Sequence, residues 1–117
     1  MLKIEYSGIA LVERIYQNRS IIGKELKDSG KKVIGHFCCN VPVELITAAG
    51  LIPYLITGDM RRQITLVDTH IETIMCSYAR SAFNAALDNQ CHFLDGLIVH
   101  HGCDNIVKLC YRSHGVR

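Results

Sequence analysis

The sequence predicts an α/β fold, with a parallel sheet of about three strands flanked by helices and fewer strands than a complete doubly wound domain has. Two observations support this. Three short apolar runs have the residue types of buried strands, and segments with helical spacing separate them. The runs are Val33–Phe37, Pro53–Ile56 and Leu97–His100. Because helical segments lie between the runs, we expect all three strands to be parallel.

An amphipathic helix is predicted near the start of the chain, over Ile9–Leu26. Apolar residues recur there at steps of three and four, with charged residues between them. Gly30 follows as a stop signal. We expect this leading helix, within residues 1–30, to cover one face of the sheet.

The stretch Val33–Asp59 is predicted to form a strand, a short helix and a second strand. Pro42 suits the first turn of that helix, because its missing N–H has no partner to lose there. Glu44 falls in the same turn, where a carboxylate meets the positive end of the helix dipole. Gly50 stands where a helix ends in a left-handed residue. Ligands of such βαβ units gather at the carboxyl ends of the strands.

The middle of the chain predicts two further helical segments. Met60–Ile74 carries apolar residues at helical spacing and is expected to be a helix or a helical loop. Ser77 can cap a helix that runs from Tyr78 to Leu87. That arrangement leaves Cys76 just outside a helix N-terminus, where the dipole favours a thiolate.

The end of the chain predicts a final helix, which Asp104 can cap and which carries Ile106, Val107 and Leu109. We interpret residues 1–117 as one amino-terminal α/β domain, part of something longer, with βα units over 33–117. The helix face near its three apolar residues would then be under-covered. This predicts an exposed apolar patch or a homo-oligomer.

Composition excludes several classes of protein. Hydrophobic residues make up 49% of the chain, so it is globular, and the net charge of +2 gives no basic stripe for nucleic acid. Proline, glycine or charge interrupts each apolar run before it could cross a bilayer. The first residues have no signal-peptide pattern. We expect a cytoplasmic protein that binds neither nucleic acid nor membrane.

Six cysteines are the most informative residues: Cys38, Cys39, Cys76, Cys91, Cys103 and Cys110. In a reducing cytoplasm they indicate metal binding, catalysis or burial rather than disulfides. The sequence has no Cys-x-x-Cys pair, which argues against a zinc ribbon, a thioredoxin-type site and a ferredoxin-type cluster run. Any metal site must therefore combine residues far apart in the sequence.

Four of these cysteines are predicted at one edge of the sheet. Cys38, Cys39 and Cys103 follow strands, and Cys76 precedes a helix. Thiolates gathered there suit a soft metal or an iron–sulfur cluster, whereas the alternative is that they are buried packing residues. As neighbours on an extended segment, Cys38 and Cys39 should point to opposite faces. Three histidines lie near the same edge, namely His36, His100 and His101. Zinc bound by Cys103 and a histidine is a further alternative.

Three sequence blocks resemble the amino-terminal part of the 2-hydroxyacyl-CoA dehydratase and benzoyl-CoA reductase family. Their order and spacing together carry the resemblance, which covers nearly the whole chain after the first helix. The blocks are Val33-Ile34-Gly35 with Pro42-Val43-Glu44-Leu45-Ile46 and Ala48-Ala49-Gly50-Leu51-Ile52-Pro53; Cys76-Ser77-Tyr78 with Arg80-Ser81; and Leu94-Asp95-Gly96-Leu97-Ile98 followed by Cys103-Asp104. The chain departs from the family at His100-His101-Gly102, where a small polar residue usually precedes the cysteine, and after Tyr111.

The resemblance implies a flavodoxin-like domain and a [4Fe–4S] cluster bound through three cysteines. Cys76 and Cys103 match the first two ligands, and the third lies far downstream, outside this chain. One iron keeps a position for a small ligand or the substrate. Glu44 resembles an acidic residue near the active site that handles a proton, and a first-turn helix stabiliser is its alternative role.

The resemblance also implies partners and a reaction. Similar enzymes pair two related subunits, so the partner here would be a related subunit or a second copy. A separate ATP-hydrolysing activator supplies one electron, which reduces a 2-hydroxyacyl-CoA thioester to a ketyl radical that expels the hydroxyl group. Two alternatives stay open: a benzoyl-CoA-reductase-like subunit, and a non-catalytic relative that folds and oligomerises without a cluster.

Overall fold

This computed structural model describes residues 8–58, 67–69, 71–72, 74–88 and 90–113. Within these residues the chain forms five helices and three strands. In chain order they are α1 (Ile9–Gln17), α2 (Arg19–Asp28), β1 (Val33–His36), α3 (Val43–Ala48), β2 (Ile52–Leu55), α4 (Ser77–Leu87), β3 (Gly96–Ile98) and α5 (Asp104–Ser113). Within these residues, no helix has the length and hydropathy that crossing a membrane requires.

The sheet is parallel throughout, which confirms the predicted fold class. β1 lies in the centre and pairs with β2 on one side and β3 on the other. β2 begins one residue earlier than predicted, and β3 ends at Ile98 rather than at His100. The three strands end at His36, Leu55 and Ile98. Because they run in one direction, these ends lie together, and we call this side of the sheet the carboxyl edge.

Two glycines end helices as the sequence predicts. Gly50 follows α3 with a φ of 76°, a left-handed conformation that a side chain disfavours. Its N–H donates to the carbonyl of Thr47 at 2.9 Å, and the N–H of Leu51 donates to that of Ile46 at 3.1 Å. This pair of bonds satisfies carbonyls that the helix end leaves unpaired. Gly30 ends α2 in the same way.

The prediction of one leading helix is wrong, because the segment breaks at Asn18 into α1 and α2. The Asn18 side-chain amide donates to the carbonyl of Arg14 at 2.9 Å, beside the Asn18 backbone N–H at 3.1 Å. Such local side-chain bonds compete with helix continuation. α2 covers the sheet as expected, and a Cβ on Gly23 would lie 2.6 Å from the Phe93 ring. α1, described along its whole length, buries no residue.

The main core lies where α4 and α5 pack beside the strands. It includes Phe37 and Ile56 next to the strand ends, and Phe83 from α4. Val67 and Ile71 also belong to this core, although most of the predicted helix over Met60–Ile74 lies outside the described residues. The Ile71 N–H donates to the Val67 carbonyl at 2.9 Å, which forms a single turn there.

The expectation of an under-covered face on the last helix is wrong. Ile106 and Leu109 are 2% and 1% exposed, because α5 packs against α4. Val107 is half-buried. Large exposed apolar side chains lie on α1, namely Ile9, Val12, Ile15 and Tyr16, and on α5 at Tyr111.

Candidate functional site

An open crevice of about 730 Å³ lies at the carboxyl edge, and we call it the edge crevice. Its walls come from the loop after β1, the first turn of α3, the end of β2 and Tyr78 of α4. The residues that bear on its chemistry include Cys38, Cys39, Glu44 and Thr57. The topology therefore places a cavity where parallel α/β sheets hold their ligands.

The first wall of the edge crevice is a tight turn at Cys38. Its φ of 57° is left-handed, so the expectation that Cys38 and Cys39 continue an extended segment is wrong. That conformation costs roughly 1–2 kcal/mol for a residue with a Cβ. The Cys38 N–H donates to the hydroxyl of Tyr78 at 3.3 Å, and this hydroxyl donates to the Ile56 carbonyl at 3.0 Å. Tyr78 thus connects the start of α4 to the ends of β1 and β2.

Cys76 lies directly before α4 and is its N-cap. Its sulfur accepts a hydrogen bond from the N–H of Ala79 at 3.4 Å, whereas Ser77, the expected cap, is the first helical residue. The Cys76 side chain is exposed. The Cys76 sulfur lies at the N-terminal end of α4, the position that the sequence predicts.

Cys103 has the corresponding position before α5. Its carbonyl accepts the N–H groups of Ile106 and Val107, both at 3.1 Å, and Asp104 begins the helix instead of capping it. Cys103 is exposed. Since α5 follows β3 after a short loop, Cys103 lies at the carboxyl edge, as Cys76 does.

Several neighbouring groups shift the pKa of the Cys38 thiol. Burial raises the pKa of the Cys38 thiol, the hydrogen bond with Tyr78 lowers it, and the charges of Cys39, Cys103 and Cys76 raise it further. A Cβ on Gly102 would lie 3.2 Å from the side-chain nitrogen of Asn40, and the Cys38 N–H donates to Tyr78. These contacts place the neighbours of Cys103 and Cys76 beside the turn at Cys38, and the role of the two cysteines as ligands stays a prediction.

The donor set fits part of a cluster and not all of one. No group of three or more histidine, cysteine or acidic side chains in the described ranges is arranged to hold a metal ion. Cys76 and Cys103 are exposed thiols of the type that iron–sulfur clusters require.

The remaining predicted residues have separate surroundings. Glu44 is exposed in the first turn of α3 and lines the edge crevice. His36 is 6% exposed, and its Nδ1 lies 3.3 Å from the Cys38 carbonyl oxygen. His100 packs against the backbone at Gly102, and its buried Nδ1 has no hydrogen-bond partner among the described residues. His101 is exposed. Among the described residues, these histidines and Cys103 form no group of three or more side chains that could hold a metal ion.

Sequence reasoning missed two residues of the site. Tyr78 is two residues after Cys76 in the sequence. The groups that its hydroxyl contacts are distant in sequence, so its role could not be predicted. Thr57 follows β2, and its buried hydroxyl has no partner in the part of the chain that the structure describes. The only available signal was its position after a predicted strand.

Comparison with known proteins gives the family. The family described as 2-hydroxyglutaryl-CoA dehydratase, D-component, matches residues 38–113, a range that includes Glu44, Cys76 and Cys103. The chain belongs to this family. The resemblance found in the three sequence blocks is thereby confirmed.

Three curated proteins of known name are similar to this chain. The beta subunit of (R)-phenyllactyl-CoA dehydratase from Clostridium sporogenes is 26% identical over 75% of this chain and 23% of its own length. The beta subunit of (R)-2-hydroxyglutaryl-CoA dehydratase from Acidaminococcus fermentans is 32% identical over 68% of this chain and 21% of its own. A benzoyl-CoA reductase subunit from Thauera aromatica is 30% identical over 70% and 22%. The chain thus spans less than a quarter of each relative.

Proposed function

We propose that this chain is part of a subunit of a 2-hydroxyacyl-CoA dehydratase, an enzyme that eliminates water from a 2-hydroxyacyl-CoA thioester after one-electron reduction. One observation carries the proposal: Cys76 and Cys103, the positions that match the family's ligands, both precede helices at the carboxyl edge. Family membership and two relatives named as dehydratase subunits support it.

In this proposal Cys76 and Cys103 hold a [4Fe–4S] cluster, together with a third ligand from outside the chain. When bound, the cluster supplies one electron and a Lewis-acidic iron for the thioester oxygen. The chain's own contribution is positional and electrostatic. The N-termini of α4 and α5 stabilise negative charge on the two sulfurs, and Glu44 handles a proton in the edge crevice.

The proposed partners are a related subunit or a second copy of this chain, an ATP-dependent activator protein and an acyl-CoA substrate. The relatives' names support the first of these, because all three are named as subunits. The proposed compartment is the cytoplasm, where thiols stay reduced.

A benzoyl-CoA-reductase-like subunit is the second candidate. Identity to the reductase subunit is 30%, between the 26% and 32% of the two dehydratase subunits. The same pair of cysteines would serve either reaction. A non-catalytic relative that folds and oligomerises without a cluster is the third candidate.

Anaerobic reconstitution with iron and sulfide, in the presence of a small thiol that can fill the remaining ligand position, tests the site. We expect bound iron and visible absorption in the unmodified chain. Cys76→Ala and Cys103→Ala should each abolish both signals. Cys110→Ala is the matched control, because Cys110 lies within α5 and should leave the iron content unchanged. An unmodified chain that stays colourless and iron-free would favour the non-catalytic alternative.

A further inference from the structure

Cys38 has an unusual backbone conformation for a residue with a side chain. Its φ of 57° lies in the left-handed region, which glycine adopts without strain. Any other residue there costs roughly 1–2 kcal/mol, and strained residues of this kind concentrate at functional sites. The strained cysteine is therefore a candidate functional residue.

The turn at Cys38 contacts the start of α4, the helix whose N-cap is Cys76. The Cys38 N–H donates to the Tyr78 hydroxyl at 3.3 Å, and Tyr78 follows Cys76 by two residues. The Cys38 side chain also packs against the core cluster that includes Met75 and Ala79, which lie before and after Cys76 in the sequence. These contacts hold Cys38 beside the segment that bears the first predicted ligand.

The same turn contacts the loop that leads to Cys103. The side-chain nitrogen of Asn40 lies 3.2 Å from the position that a Cβ on Gly102 would take, and Gly102 directly precedes Cys103. The strands before the two loops also pair, with His36 of β1 opposite Ile98 of β3. The turn therefore lies next to both segments that carry predicted ligands.

A cluster makes different demands on its thiols than a single metal ion does. An ion draws all its ligands to one point, at about 2.3 Å for zinc and sulfur, whereas a [4Fe–4S] cluster takes its four thiolates on separate iron atoms. The described residues contain no group of three or more side chains that could hold one ion. Three thiols along one edge are nevertheless compatible with a cluster, because its ligands do not meet at one point.

The charges of these thiols favour a bound cation. Burial is the largest influence that raises the pKa of the Cys38 thiol, the hydrogen bond with Tyr78 lowers it, and the charges of Cys103 and Cys76 are among those that raise it further. Thiolates at this edge therefore disfavour one another when no cation is present. A metal cation reverses that effect, because a coordinating thiol is deprotonated.

We propose that Cys38 is a thiolate ligand of the cluster, at one of the two positions that Cys76 and Cys103 leave. This inference rests on the proposed function and adds a ligand from the described residues. The other position stays with the ligand from outside the chain. The neighbouring Cys39 is exposed and its thiol donates to the Asn40 side-chain oxygen at 3.6 Å, so we assign the role to Cys38 alone.

The rate of iron release from the anaerobically reconstituted full chain tests this assignment. Gel filtration first removes the free small thiol, and a ferrous chelator then takes up the released iron. Cys38→Ala should release iron about tenfold faster than the unmodified chain or more, because even the loss of an outer-shell partner weakens metal binding about tenfold. Cys39→Ala is the matched control and should release iron at the unmodified rate.

Adding the small thiol back separates a ligand from a structural residue. It should restore slow release to Cys38→Ala, because it can fill the vacated position, whereas a damaged fold would not recover in this way. Fast release that added thiol leaves unchanged would therefore overturn the assignment.

The remaining outcomes separate this inference from the proposed function. If Cys38→Ala releases iron as slowly as the unmodified chain, or Cys39→Ala releases it equally fast, the inference is overturned while the cluster proposal stands on Cys76 and Cys103. An unmodified chain that binds no iron would overturn both.

Discussion

Replacing Leu109 with alanine tests the packing of α5, and with it the position of Cys103 at the start of that helix. Leu109 is 1% exposed and belongs to the main core cluster. Truncating such a leucine removes its buried contacts and leaves a cavity, which costs about 2–5 kcal/mol. For a domain of this size each 1 kcal/mol lowers Tm by roughly 4 °C. We expect Tm to fall by about 8–20 °C.

Thermal unfolding followed by circular dichroism measures this loss. Tyr111→Ala is the control, because Tyr111 lies on the same helix and is 77% exposed, so its truncation should change stability by no more than about 0.5 kcal/mol. Equal and small effects of the two substitutions would refute the packing of α5 against α4. They would restore the sequence-based expectation of an uncovered helix face.

Three further substitutions test the sheet and its connections. Asp95 accepts hydrogen bonds from Lys27 and from a β1 N–H, and chiefly the Lys27 bond lowers its pKa. The stability that Asp95 contributes is therefore present above about pH 4 and is lost as the pH falls through its lowered pKa. If the urea midpoint of Asp95→Asn falls with acid as much as that of the unmodified chain, this explanation is contradicted. Gly50→Ala should cost about 1 kcal/mol in urea unfolding, because alanine disfavours a φ of 76°, and an unchanged midpoint would count against that conformation. Gly58→Ala should cost about 1–3 kcal/mol or more, since its Cβ would lie 2.6 Å from the Ser81 carbonyl carbon, and a neutral result would show that this contact is looser.

The features that the sequence predicts correctly depend on local chemistry. The strand runs appear because buried parallel strands need continuous apolar residues. Gly30 and Gly50 mark helix ends because few other residues adopt the left-handed conformation there. The common edge of Cys76 and Cys103 follows from connectivity, since a helix and a returning strand separate them.

The features that it misses depend on contacts between distant segments. The left-handed turn at Cys38 is supported by the hydroxyl of Tyr78, forty residues later. The burial of Leu109 depends on how α4 and α5 meet, which periodicity does not encode. The break at Asn18 is local, but asparagine also occurs inside helices, so its side-chain bond to Arg14 could not be foreseen.

The central position of β1 has a consequence for handling the isolated chain. In the described residues β2 and β3 pair only with β1, so each has one side whose N–H and C=O groups no described strand covers. On β3 the side chains of Leu97 and Ile98 are each 40% exposed beside that open row. Such borders recruit extended peptides and promote aggregation. Concentrated preparations should therefore gain solubility from a lysine substitution at Leu97, which places a charge where an incoming segment would align.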